Sequence, residues 1–192
     1  AVVIVATVRA LKMHGGLAKE ELKEEDLQAL EKGLPNLLRH VSNIKNVYSL
    51  PVVVAVNRFP TDTDAEIALV IQKCRELGVN TVLSDVWAKG GEGGEELARE
   101  VVRLCDEENA FRFCYDEKAP IKEKIESIVT RIYGGKDVAY TPEAEAEIAR
   151  LTELGFGQLP VCMAKTQYSF SDDAKKLGAP EGFTVTVRTV KV

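Results

Sequence analysis

The chain has 192 residues and a formal net charge of −5, with 45% apolar, 29% charged and 6% aromatic residues. This composition is that of one globular domain or two small ones, and it excludes a disordered or fibrous chain. The acidic balance gives no electrostatic reason to bind nucleic acid or a membrane surface, and no apolar run approaches the ~20 residues of a membrane helix.

Apolar strands and amphipathic helices alternate along the first part of the chain. Strands are predicted over residues 2–8, 51–56, 79–84 and, more briefly, 111–115. The continuous apolar runs among them are typical of strands covered on both faces of a parallel sheet. Helices are predicted over residues 26–46, 63–77 and 95–107. The alternation predicts an α/β fold of parallel β-α-β units, Rossmann-like and related to P-loop NTPase scaffolds.

Local signals mark several of the element ends. We expect the first strand to run into a polar loop at Gly15-Gly16, and Gly33-Leu34-Pro35 predicts a break or kink in the helix that follows. Asp62 or Thr63 can cap the next helix, and Gly78 can end it.

The pattern changes after Asp116. We therefore divide the chain into an α/β domain, residues 1–116, and a smaller α+β region, residues 117–192. The second region is predicted to contain helices at 120–132 and 142–154, a short strand at 159–164, a polar loop at 165–182 and a last strand at 183–192. Because the chain opens and closes inside strand-like runs, we expect a fragment of a longer protein.

The cysteines show no spacing typical of a metal site. They are Cys74, Cys105, Cys114 and Cys162. We interpret them as small reduced core residues, which predicts a cytoplasmic protein. No metal ligands are assigned.

Polar loops follow the first three predicted strands. In a parallel sheet these loops share one edge, where ligands of open α/β sheets bind. Arg9 and Lys12 of the first loop can hold phosphate or carboxylate groups, and two surface cations in a solvated loop explain them equally well. The glycine run 90–94 can present backbone N–H groups to an anion, but it matches no phosphate-loop motif.

The second loop, Asn57-Arg58-Phe59-Pro60, is placed like the base-reading Asn-Lys-x-Asp loop of GTP-binding proteins. In those proteins a carboxylate accepts hydrogen bonds from the guanine edge, whereas Pro60 offers no acceptor. The GTPase interpretation is therefore weak, and a related nucleotide-binding scaffold remains open.

Two aromatic residues, Phe59 and Trp87, come just after successive strands. Their rings can clamp a flat heterocycle, or both can pack under helices as core, and the sequence favours neither. In the clamp interpretation the rings approach each other at the strand-end edge, with Arg9, Lys12 and Lys89 nearby.

Four stretches resemble formate–tetrahydrofolate ligase (formyltetrahydrofolate synthetase), in that family's order. They are residues 5–16, 51–63, 87–94 and 162–169. The resemblance implies an enzyme that makes 10-formyltetrahydrofolate from formate, ATP and tetrahydrofolate by way of formyl phosphate. It also implies Mg²⁺, a monovalent cation such as K⁺ or NH₄⁺, and a homotetramer.

The resemblance assigns Phe59 and Trp87 to an aromatic sandwich around the pterin ring, in a region that overlaps nucleotide binding. We predict further contacts to substrate or nucleotide from Arg9, Lys12, Asn57, Pro60 and Lys89. Catalytic residues are not assigned. The family's glycine-rich phosphate loop, with its lysine and serine or threonine, does not occur in this sequence, so the fragment is expected to be inactive alone. The alternative is a non-catalytic nucleotide- or ligand-binding α/β module.

Overall fold

A computed structural model describes residues 1–108 and 110–192. They form two compact units, Ala1–Phe111 and Arg112–Val192. Parallel strands and helices make up both units, which confirms the α/β class. No helix among the described residues is long and apolar enough to cross a bilayer.

The first unit is built on a three-stranded parallel sheet in the order β1-β2-β3. The strands are β1 (Val2–Ala6), β2 (Val52–Asn57) and β3 (Thr81–Ser84). In the register, Ile4 lies opposite Val54, and Val54 lies opposite Thr81. All three predicted strands are therefore present, and the central one is β2, which is buried up to its last residue.

The prediction that β1 is covered on both faces is wrong. Val3 is 39% exposed and Val5 66% exposed, whereas Ala6 is buried. Val2 and Ile4, on the opposite face of β1, pack against the main core. The second core cluster of the first unit contains Val53 of β2, Val82 of β3 and Leu104 of the helix Glu95–Cys105, but no residue of β1.

Five helices surround this sheet. They are α1 (Val8–His14), α2 (Leu27–Ser42), α3 (Asp64–Glu76), α4 (Val86–Lys89) and α5 (Glu95–Cys105), joined by 3₁₀ turns at Lys19–Glu21 and Gly90–Gly94 and by a π-helical turn at Asn43–Val47. The loop predicted after β1 is in fact α1, because Thr7 caps it by accepting a hydrogen bond from the Ala10 N–H at 3.2 Å.

Helix α2 continues through Pro35, so the predicted break is absent. A proline inside a helix removes one backbone hydrogen bond. Here Leu30, Leu34 and Leu37, on both sides of the proline, are buried in the core of the first unit and hold the two halves in one helix.

Helices α1 and α2 approach each other backbone to backbone at two glycines. A Cβ placed on Gly33 would lie 1.8 Å from the carbonyl oxygen of Leu11, and one on Gly15 would lie 1.8 Å from that of Ala29. Neither neighbour is a flexible side chain, so only glycine fits at these two positions.

Helix α3 has the ends that the sequence predicts. Thr63 and Glu66 form a reciprocal capping box, with the Glu66 N–H donating to Thr63 Oγ1 at 3.2 Å and the Thr63 N–H donating to Glu66 Oε2 at 3.0 Å. Gly78 follows the helix with a φ of +63°, which is the left-handed conformation that favours glycine.

The second unit pairs two short parallel strands with two helices. The elements are α6 (Ile121–Ile128), which continues into a π-helical turn at Val129–Tyr133, β4 (Asp137–Tyr140), α7 (Pro142–Glu153), a 3₁₀ turn at Phe156–Gln158, and β5 (Thr184–Val187). Asp137 lies opposite Thr184 in the parallel register. Thr141 caps α7 and Pro142 opens it, as predicted.

Two predicted strands of this part of the chain are wrong, and β4 was not predicted. Residues 111–115 and 159–164 are irregular. In the second segment a side chain takes the place of a ladder partner, since the Val161 N–H donates to the Tyr115 hydroxyl at 3.1 Å. In the first segment, the Arg131 guanidinium donates to the Cys114 carbonyl.

The four cysteines are free thiols, but only Cys74 and Cys114 are core residues, while Cys105 and Cys162 are exposed.

Candidate functional site

The carboxyl ends of β1, β2 and β3 lie at one edge of the sheet, because the strands are parallel and adjacent. Hydrogen bonds tie the following segments together there. The Arg58 N–H donates to the Ser84 carbonyl at 3.1 Å, and Arg9 Nη2 donates to Thr61 Oγ1 at 3.0 Å. We call this edge, residues 7–12, 57–63 and 85–94, the strand-end site.

Arg9 and Phe59 are in direct contact. The guanidinium carbon of Arg9 lies 4.4 Å from the centroid of the Phe59 ring, a cation–π arrangement. Both side chains are partly exposed, and the buried Arg9 Nε has no hydrogen-bond partner among the described residues. The guanidinium thus covers one ring face and retains a donor that the protein does not use.

A tight turn presents Phe59. The Asp62 N–H donates to the Phe59 carbonyl at 2.9 Å, and Asp62 Oδ2 accepts from the Phe59 N–H at 2.9 Å. Asp62 is only 6% exposed. Burial raises the pKa of its carboxyl group, and Glu66 adds to this effect while Arg9 and Lys12 oppose it. Sequence reasoning considered Asp62 only as a helix cap, since its burial cannot be read from the local pattern.

Trp87 lies on the short helix α4 directly after β3, and 79% of it is exposed. It is therefore not a core residue. Lys89 on the same helix pairs with Asp85 at 3.0 Å. The Asp85 N–H donates to the Gly93 carbonyl at 3.0 Å, which folds the glycine run back onto the end of β3. A Cβ on Gly93 would lie 2.3 Å from the Asp85 carbonyl oxygen, so this fold requires a glycine there.

Lys12 has a different environment from the one expected for a ligand contact. Its side chain is fully buried, and Nζ donates to Glu66 Oε1 at 2.8 Å and to the Glu24 carbonyl at 2.6 Å. Glu66 Oε1 also accepts from the Asp26 N–H at 3.2 Å. This pair holds α1, α3 and the chain before α2 together. Lys12 therefore has a structural role, and we leave it out of the ligand contacts proposed below.

The carboxylate of Glu66 is satisfied although it is buried. Burial by itself would raise the pKa of Glu66, but the hydrogen bonds from Lys12, Thr63 and Asp26 outweigh that effect and lower it. Glu66 is thus ionised in the fold at neutral pH.

The structure brings some of the predicted site residues together. Arg9 and Phe59 touch, Asn57 ends the strand that leads into the loop of Phe59 and Pro60, and Trp87 and Lys89 follow the adjacent strand. The approach of the Phe59 and Trp87 rings to each other stays a prediction.

A cleft also lies elsewhere in the described part of the chain. It has a volume of about 850 Å³, belongs to the second unit and is lined mainly by aliphatic side chains of residues 159–166 and 185–192. The partly buried amine of Lys165, which lines this cleft, donates to the carbonyls of Thr166 and Ser169 in its own loop. Burial lowers the pKa of Lys165. Because this amine is already used by its own loop, we place the functional site at the strand ends rather than in this cleft.

The fold and the strand-end site define an α/β protein whose strand ends carry aromatic and cationic side chains. Over residues 1–192, the sequence matches the model of the protein family described as formate–tetrahydrofolate ligase. The chain therefore belongs to the formate–tetrahydrofolate ligase family.

Proposed function

We propose that this chain carries part of the folate and nucleotide pocket of an ATP-dependent formate–tetrahydrofolate ligase. In that reaction, ATP phosphorylates formate, and the N10 nitrogen of tetrahydrofolate then attacks formyl phosphate. The observation that carries the proposal is the pair of aromatic side chains at one sheet edge, with Phe59 backed by Arg9 at 4.4 Å and Trp87 left 79% exposed.

Each residue has a place in the proposed pocket. Phe59 and Trp87 stack on the two faces of the pterin ring, and stacking of this kind contributes about 1 kcal/mol beyond burial. Arg9 backs Phe59 and brings a positive charge to this edge, where it can attract an anionic group. Asn57, Pro60 and Lys89 line the same edge.

Phosphoryl transfer needs groups that this sequence does not contain. Positive charges and backbone donors must surround the γ-phosphate, and Mg²⁺ bound with ATP supplies part of that charge. The described residues hold no cluster of three or more His, Cys, Asp or Glu side chains for a metal, so we assign no residue to Mg²⁺ or to a monovalent cation. The homotetramer and the cytoplasmic location belong to the same proposal for the full-length enzyme.

One observation favours the second candidate, a non-catalytic binding module on the same scaffold. No segment of the sequence reads as a glycine-rich phosphate loop with its lysine and serine or threonine. An activity measurement separates the two candidates when the full-length gene product, which includes the upstream coding sequence, is measured in the same assay.

We expect the purified 192-residue chain to form no 10-formyltetrahydrofolate from formate, ATP and tetrahydrofolate. The reason is the missing phosphate loop, because an unpositioned γ-phosphate gains none of the electrostatic stabilisation that phosphoryl transfer requires. Product formation is measured by chromatography, with a full-length ligase as positive control. Multiple turnovers by the chain alone would contradict the prediction, whereas no turnover by the full-length gene product would favour the binding module.

We expect folate to quench the fluorescence of Trp87 saturably. Trp87 is the single tryptophan and is exposed, so ligand stacking on the indole changes its signal directly. Stacking contributes only about 1 kcal/mol beyond burial, so we expect dissociation constants in the high micromolar range or weaker. The titration is corrected for the inner-filter effect.

Phe59→Ala is expected to weaken this quenching, since it removes the opposite face of the clamp. Phe113→Ala, which truncates a half-exposed phenylalanine outside the strand-end site, serves as the control. Equal responses of the wild type and Phe59→Ala would show that Phe59 is not part of the clamp.

A further inference from the structure

Asp62 is a buried carboxylate that the fold uses only in part. Its Oδ2 accepts one hydrogen bond, from the Phe59 N–H, while Oδ1 accepts none and Asp62 forms no ion pair within the described part of the chain. Glu66 provides the comparison, since it is fully buried and receives the Lys12 ammonium and two backbone N–H groups. Asp62 Oδ1 retains accessible surface, so a donor from a ligand can reach it.

The position of Asp62 indicates which part of a ligand its free acceptor oxygen would meet. It closes the turn that presents Phe59, beside the guanidinium of Arg9, at the edge where the strands end. A flat ring that stacks on Phe59 therefore brings its own edge within range of this turn. In this loop, Pro60 offers no acceptor, and Asp62 is the buried carboxylate that follows it.

We propose that Asp62 recognises the 2-amino-4-oxopyrimidine edge of the pterin by accepting hydrogen bonds from its ring N–H and its 2-amino group. This inference rests on the proposed function and specifies which edge of the ligand the pocket reads. A carboxylate has about four lone-pair sites, so Oδ1 and the second lone pair of Oδ2 can accept both donors while the Phe59 bond is kept. The ligand donors then supply the partners that the fold leaves out.

A role confined to the turn predicts different behaviour. Asparagine in place of Asp62 retains a carbonyl oxygen for the Phe59 N–H, so the turn persists in Asp62→Asn. In place of the second carboxylate oxygen, asparagine carries an NH₂ group, which is a donor and faces the N–H donors of the pterin. The hydrogen bonds to the ligand are therefore lost. The substitution thus separates support of the turn from recognition of the ring edge.

The test compares two ligands on the full chain, using Trp87 fluorescence. One is folate, and the other is the folate analogue in which a methyl group replaces the 2-amino group. We expect the wild type to bind folate about tenfold or more tightly than the analogue, because hydrogen bonds to a charged acceptor are among the stronger ones. Asp62→Asn is expected to lose this preference.

Asp64→Asn is the matched control. It removes a carboxylate of the same charge two residues away, whose side chain is 91% exposed and pairs with Arg58. This variant is expected to keep the preference for folate. Circular dichroism and urea unfolding establish that both variants are folded.

The outcomes distinguish this inference from the proposed function. Saturable binding of both ligands with equal affinity by the wild type overturns the role of Asp62 alone, and so does a preference for folate that persists in Asp62→Asn. No saturable response of the wild type to folate overturns the clamp, and with it the role of Asp62. Guanosine monophosphate carries the same edge on a purine, and binding as tight as that of folate would overturn the pterin as the preferred ligand.

Discussion

Replacing Glu66 with glutamine is expected to lower the free energy of unfolding by about 3–5 kcal/mol, the range for breaking a buried ion pair by removing one partner. Both side chains of the Lys12–Glu66 pair are fully buried at a distance of 2.8 Å. Without the carboxylate, the ammonium of Lys12 stays in the core with the Glu24 carbonyl as its remaining strong acceptor. Urea unfolding followed by circular dichroism measures the loss.

The pair also ties the strand-end site to the rest of the first unit. Glu66 accepts the Thr63 N–H at the start of α3 and the Asp26 N–H before α2, while Lys12 belongs to α1. We therefore expect Lys12→Met to be destabilising too, because it leaves the Glu66 carboxylate buried without its counter-charge. The double variant Lys12→Met/Glu66→Gln should lose less than the sum of the two single changes, since neither charge is then left alone.

The matched control is Glu76→Gln on the same helix. Glu76 pairs with Lys73 at 3.6 Å and is 53% exposed, so its loss is expected to change stability by no more than about 0.5 kcal/mol. A loss for Glu66→Gln within this control range would contradict the prediction.

The effect of Glu66 should depend on pH in a defined direction. The pKa of Glu66 in the folded state lies below its ordinary value of 4.5, so ionisation of the carboxyl group favours folding. This contribution is complete above the unfolded-state pKa and is lost as the pH falls through the lowered folded-state pKa. The advantage of the wild type over Glu66→Gln should therefore be full at pH 7 and shrink below pH 4.5.

Gly33→Ala is expected to lower the free energy of unfolding by about 3 kcal/mol, at the upper end of the usual cost of overpacking. The added Cβ would lie 1.8 Å from the Leu11 carbonyl oxygen, in the backbone of α1. The two helices must separate to make room, which opens the core around Leu11 and Leu34. Intrinsic helix propensity favours alanine over glycine by about 1 kcal/mol inside a helix. A loss of stability in Gly33→Ala would therefore be opposite to what propensity alone predicts.

Gly91→Ala provides the matched control, because a Cβ there would meet nothing within 4 Å. Urea midpoints of the two variants and the wild type are compared under the same conditions. A Gly33→Ala midpoint at or above that of the wild type would show that α1 and α2 do not meet backbone to backbone.

Local physical chemistry explains which elements could be predicted. The uninterrupted apolar run of β2, the capping box at Thr63 and the Thr141-Pro142 start of α7 depend on residues a few positions apart. Such signals act before any tertiary contact forms, so the sequence alone was sufficient for them. The three predicted strands of the first unit and the irregular loop at 165–182 belong to the same group.

The missed elements depend on partners far along the chain. Strand β4 has only four residues, too few to be recognised by itself, and it pairs with β5, Asp137 opposite Thr184. Residues 159–164 look like a strand, but the hydroxyl of Tyr115 accepts the Val161 N–H in place of a neighbouring strand. Strand propensity alone cannot show which distant segment of the chain is available for pairing.

By itself, the sequence determined the α/β class, the strand-end loops and the family to which the chain belongs. Only the tertiary structure decided that Lys12 is a buried cation paired with Glu66, that Trp87 is exposed, and that Asp62 is buried. The physical reason is that burial of a charge is set by groups distant in sequence. Lys12 meets Glu66 across 54 positions, and no local pattern records that encounter.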